Sequence, residues 1–144
     1  MADLSITAAE VLKSSGGKSA PGTCGETLVA GDIVYKDASA SSKLKLADAN
    51  HSTTAKSAVV GMMLNGGAAG QPADYVSEDS DLTIGTTAAA AAGQIYCLSS
   101  TPGKLCPISD IVASATARVS IVGVGGAAGK LIMKVVNSGV AKTS

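Results

Sequence analysis

The sequence has no phenylalanine, no tryptophan and a single histidine, and its only aromatic side chains are three tyrosines. A usual globular core is anchored by aromatic residues that each bury roughly 150–250 Å². Without them, the interior must be assembled from 31 Leu, Ile and Val residues and some of the 25 alanines. Such a core is thin, which points to a small β-domain that borrows stability from neighbouring chains. Long apolar runs are lacking too, and nothing approaches the roughly 18 residues of a membrane-spanning helix. The start, MADLSITAAEVLKSSGG, has neither the basic nor the apolar segment of a signal peptide, so export is not expected. Net charge is zero and no Lys/Arg stripe stands out, which disfavours a dedicated nucleic-acid binder. Three cysteines, an odd number, read as reduced thiols rather than a disulfide framework.

What is present is 17 glycines, 29 Ser and Thr residues, and an uneven charge. Residues 1–81 hold ten of the eleven acids and six bases, a net of −4. Residues 82–144 hold one acid, Asp110, against Lys104, Arg118, Lys130, Lys134 and Lys142, a net of +4. Such a split is either chance placement on a solvated surface or complementarity between successive copies of the chain.

At 144 residues the chain is one domain with room for two small sub-units. Residues 1–24 stand apart: a short segment at 4–12 suited to a strand or one helical turn, then the small, breaker-rich stretch KSSGGKSAPG at 13–22. That stretch predicts an exposed N-terminal arm or linker. Residues 25–144 form a β-domain with an internal repeat, about 26–85 and 86–144. AGDIVY at 30–35 returns as AGQIYC at 92–97, VVG at 59–61 as IVG at 121–123, and GGAAG at 66–70 as GGAAG at 125–129. Gly31 to Gly61 and Gly93 to Gly123 span the same distance.

Each copy predicts four short strands, at 28–35, 43–46, 57–64 and 73–76, and at 94–98, 104–108, 117–124 and 130–136. Turn chemistry separates them, as in Thr101-Pro102-Gly103. The alanines at 88–92 have helical propensity but are too few to hold a helix alone. The expected fold is all-β, a small sandwich or barrel of two repeated β-units preceded by an extended arm.

Several motifs tempt. SIVGVGGAA at 120–128 fits a dinucleotide fingerprint, which needs a following helix and an acid about 20 residues on. Here the next segment, LIMKVV, is strand-like and no acid follows Asp110, so these are turn glycines. Gly17-Lys18-Ser19 lacks the glycine and strand of a P-loop. Cys24, His51 and an aspartate form a catalytic set only on paper, and a lone histidine without a Cys-x-x-Cys pair offers no zinc site. Cys97 and Cys106 flank a predicted hairpin and face each other as packing thiols or a disulfide. Asp74, Glu78, Asp79 and Asp81 lack the spacing of a calcium loop and suit a solvated loop or an inter-subunit acidic patch. No catalytic residue, metal ligand or cofactor is assigned.

LVAGDIVY at 28–35, AVVGMM at 58–63, AAGQIY at 91–96 and SIVGV at 120–124 together resemble the capsid cement or decoration proteins of tailed bacteriophages, over about residues 25–140. The resemblance implies a non-enzymatic structural protein, made in the host cytoplasm. It would sit on the outer surface of the head, form a homotrimer, bridge subunits of the major capsid protein, and bind neither nucleic acid nor membrane. It implies an arm that orders on docking; it carries no site residues with it, and the arm contacts expected from the residues of this chain are Leu4, Ile6, Val11, Leu12, Lys13 and Lys18. On that reading, deleting residues 2–20 leaves the β-domain folded. A phage tail or fibre module and a small-ligand binder are the alternatives.

Overall fold

The computed structural model describes residues 3–85 and 91–142, so residues 88–90 of the alanine stretch lie outside the described residues. The chain is all-β: β1 (Lys18–Thr23), β2 (Ile33–Asp37), β3 (Lys43–Leu46), β4 (Gly61–Met63), β5 (Pro72–Thr83), β6 (Ile95–Leu98), β7 (Leu105–Pro107), β8 (Arg118–Gly125) and β9 (Lys130–Ala141). They make one antiparallel sheet in the order β3-β2-β4-β5-β9-β8-β6-β7, with β1 added on β5, and the sheet curls into a half-barrel.

That order is the duplication made visible. The strands β3-β2-β4-β5 run to the middle of the sheet, and their counterparts β9-β8-β6-β7 run away from it in reverse. The register repeats as well: Ile33 faces Met62 and Val34 faces Gly61, while Ile95 faces Val124 and Tyr96 faces Gly123, each number raised by 62. Gly61 and Gly123 answer the same steric need. A Cβ there would lie 2.2 Å from the Val76 carbonyl oxygen and 2.5 Å from that of Ile132. Gly70 and Gly129, before β5 and β9, share a left-handed φ of 90° and 74°, which side-chain-bearing residues resist.

The concave face carries the main core. It draws Ile33, Met62, Val76, Leu82 and Ile84 from the first repeat, and Tyr96, Leu98, Leu105, Val122, Leu131 and Met133 from the second. Aliphatic side chains and methionines do most of what aromatics do elsewhere, beside two rings, Tyr35 and Tyr96, and the Tyr96 hydroxyl accepts the Ala91 N–H at 2.8 Å.

Two expectations need correction. The N-terminal segment is extended, but it lies on the sheet rather than off it. Leu4 is buried in the main core and its N–H donates to the Leu105 carbonyl at 2.8 Å. One 3-10 turn, Ala8–Glu10, follows, and Leu12 and Thr83 exchange backbone hydrogen bonds of 3.0 Å each. The breaker-rich stretch then makes a turn at 14–17 and becomes β1, antiparallel to β5. Lys-Ser-Ala-Pro-Gly-Thr has none of the usual strand signature, and Pro21 is tolerated because β1 is an edge strand. The acidic run at 74–81 is likewise no loop. It lies within β5, a strand of 12 residues, and three of its four carboxylates meet partners far away in sequence.

Candidate interaction surface

The arm and the acidic run, read in the sequence as two separate surfaces, are brought together. Asp79 is 1% exposed. Its carboxylate accepts the Ser14 N–H at 2.7 Å, the Ser14 hydroxyl, and the Asp81 N–H at 2.9 Å. Burial pushes this carboxyl up, but the Ser14 hydroxyl, the two N–H groups and the nearby Lys13 charge outweigh it and hold it below the usual carboxylate range. The Lys13 ammonium also donates to the Ser14 and Gly17 carbonyls at 3.3 Å. Lys18 is exposed and pairs with Glu78 at 3.3 Å, and Asp81 pairs with Lys130 at 3.8 Å. Three of the four acids are thus engaged within the chain, and Asp74 is exposed. Of the arm residues, Leu4 is buried, Ile6 and Val11 pack against the core, and Leu12 is 66% exposed.

The remaining surface is decided by the convex side of the sheet. In the first repeat that side carries Val34, Leu44, Met63, Ala73 and Tyr75. The chain covers them itself with Ala20 of β1 and with Cys24 and Leu28, which follow it. In the second repeat, Cys97 and Cys106 are covered by Ile111 and Ala117. The neighbouring aliphatic ladder is not covered: Ile95 is 38% exposed, its partner Val124 is half-buried, and Val124's partner Ile132 is 47% exposed. Val136, paired with Ile121, is 53% exposed.

The corresponding ladder of the first repeat, Ile33–Met62–Val76, is fully buried in the core. The two ladders hold matching register positions but face opposite sides of the sheet: Ile33, Met62 and Val76 point into the core where Ile95, Val124 and Ile132 point outward. A cleft of about 250 Å³ opens beside Ile132, lined by Gly16, Glu78, Asp79, Ser80, Met133 and Lys134.

Other candidates resolve into structure. Cys97 and Cys106 are direct cross-strand partners, and Cys24, Cys97 and Cys106 are all buried free thiols. The hydrogen bond with Cys106, together with burial, pushes the Cys97 thiol far up. His51 sits in a polar turn where its Nδ1 accepts the Thr53 N–H at 2.9 Å. Among the described residues no group of three or more His, Cys, Asp and Glu side chains is placed to hold a metal ion. The glycines at 125–129 turn β8 directly into β9, a strand where a dinucleotide fingerprint needs a helix. The open ladder of Ile95, Ile132 and Val136 was missed in the sequence. Its residues were placed in strands, but alternation alone does not say which face the chain covers. Compared with known proteins, the chain matches no family model and no curated protein.

Proposed function

We propose that this chain is a structural virion protein that binds the outer surface of a tailed-bacteriophage capsid and stabilises it by bridging major capsid protein subunits. The observation that carries the reading is where the resembling segments fall. AGDIVY and AAGQIY lead into β2 and β6, and AVVGMM and SIVGV lead through β4 and β8, so they occupy matching places in the two repeats. A packaged genome pushes the shell outward, and a protein spanning subunit seams resists their separation. Many copies, each burying a modest area, add up through multivalency. The protein needs no cofactor and no catalysis for this.

The fold changes what the arm contributes. Leu4, Ile6 and Val11 are engaged with the chain's own core, which leaves Leu12 and Lys18 as the arm side chains open to a shell. The test is co-sedimentation of the purified protein with empty, expanded heads of the phage that encodes it. Saturable pelleting with heads, and a shift of head disruption to higher temperature, are the expected results. Protein that stays in the supernatant with heads, or that pellets with tails alone, contradicts the reading.

A further inference from the structure

The chain buries all three of its thiols, and two of them are set opposite each other. Cys97 of β6 and Cys106 of β7 are direct antiparallel partners, and both are 0% exposed. The Ser99 N–H donates to the Lys104 carbonyl at 2.9 Å, two residues along the same ladder. The cysteines are therefore a hydrogen-bonded pair, whose Cα atoms lie about 5.5 Å apart, inside the span that a disulfide bridges. Directly opposed side chains leave the sheet on one face, and the Cys97 Sγ lies 3.6 Å from the Cys106 carbonyl oxygen.

The surroundings give the pair both a nucleophile and a way in. The Cys97 thiol hydrogen-bonds the Cys106 sulfur and the Ser99 hydroxyl lies beside it, and against burial these two hold the Cys106 thiol below its ordinary value. Cys106 therefore supplies the thiolate, the form that attacks a disulfide. Cover over the pair is slight, namely Ile111 and Ala117 with Ile108, all between β7 and β8. That connection holds one 3-10 turn, Ile108–Asp110, and carries Val112 at 72% exposure. A cleft of about 360 Å³ lined by Ala113, Ser114, Ala115 and Lys142 opens in it. β7 is only three residues long and ends the sheet order, so it belongs to the elements that open locally. Cys24 faces no second thiol and lies in the separate cluster with Val34 and Leu44.

We propose that Cys97 and Cys106 are a redox pair that a small disulfide, such as glutathione disulfide, converts reversibly into a bridge fastening β7 to β6. The Cys106 thiolate attacks one sulfur of the oxidant and displaces the other as a thiolate. Cys97 gives its proton to that thiolate and attacks the Cys106 sulfur, and the second thiolate leaves and takes up the proton that Cys106 first lost. Two protein thiols become one disulfide while the oxidant is reduced to two thiols. Drawing cross-strand Cβ atoms from about 4.5–5.5 Å to the about 3.8 Å of a disulfide strains the bridge, so thiol reductants reopen it. The pair stays reduced where thiols abound and closes in an oxidising medium. None of this depends on the capsid reading.

The test incubates the folded, full-length chain with excess glutathione disulfide at neutral pH, alkylates the remaining thiols in denaturant, and digests with trypsin without reductant. Cleavage after Lys104 separates the two cysteines, so their peptides stay joined only through a bridge. The expected product joins those two peptides within one chain, leaves Cys24 alkylated, and regains all three thiols with dithiothreitol. Amide exchange across β7 is expected to slow at least about tenfold in the bridged form. Cys97→Ser should trap glutathione on Cys106, while Cys106→Ser should leave Cys97 unmodified. Cysteines 97 and 106 that both stay alkylatable, glutathione held singly on the wild type, or bridges between chains overturn the proposal. So does a bridge that forms only in urea, or one that leaves β7 exchange unchanged.

Discussion

The two repeats share strand order, register and turn glycines, yet they differ in what lies over their convex faces. In the first, Leu28 is 2% exposed and seals Val34, Leu44 and Met63, which are fully buried. In the second, Ile132 and Val136 stand about half in solvent. The difference teaches that duplication supplied two halves of one sheet but only one N-terminal lid. The N-terminal segment, which has no counterpart before the second repeat, closes the first. Matching ladders also face opposite sides of the sheet, so similar sequences are buried in one copy and displayed in the other.

Matched truncations should show the difference most strongly. Leu28→Ala leaves a cavity in a sealed layer and is expected to cost about 2–4 kcal/mol, read by urea unfolding. Ile132→Ala removes comparable carbon from an open face and should stay within about 0.5–1 kcal/mol in dilute protein. Equal losses at the two positions would break the comparison. Because Leu4 and β1 belong to the fold, removing residues 2–20 should also destabilise the domain, contrary to the reading of a detachable arm.

The fastening of the lid gives a smaller effect with a pH signature. The Asp79 carboxyl is held below its ordinary value, so the native state binds that proton less tightly than the unfolded chain does. Its stabilisation is complete above the unfolded value of about 3.9 and is lost as pH falls through the lower folded value. Asp32, raised by burial against the pull of its hydrogen bond from the Val29 N–H, acts in the opposite direction. Asp79→Asn is expected to lose about 1–3 kcal/mol near neutral pH and to show a shallower loss than wild type between about pH 5 and about pH 2. An unchanged acid slope in urea titrations would remove Asp79 from this role.

Much of the fold was legible because it is written locally. β-branched alternation placed eight strands, Lys43–Leu46 to the residue, and repeated Gly-Gly-Ala-Ala-Gly segments marked matching turns. Two things were not local. Lys-Ser-Ala-Pro-Gly-Thr becomes a strand only because β5 offers it an edge, and the acids of β5 are tolerated in a strand because Ser14, Lys18 and Lys130 reach them from distant positions. The candidate site was legible only in part for the same reason. The acidic residues and the arm were both singled out, but their mutual contact is long-range. The open ladder of Ile95 and Ile132 was hidden because alternation does not say which face of a strand the rest of the chain covers.

One half is closed by the chain itself and the other is left open, and hydroxyl-radical footprinting of dilute protein reads that contrast directly. Ile132 and Val136 are expected to be oxidised, while Leu28, Leu44 and even the reactive Met63 are protected. Protection of Ile132 and Val136 in the monomer, or oxidation of Met63 at a rate like theirs, would contradict it.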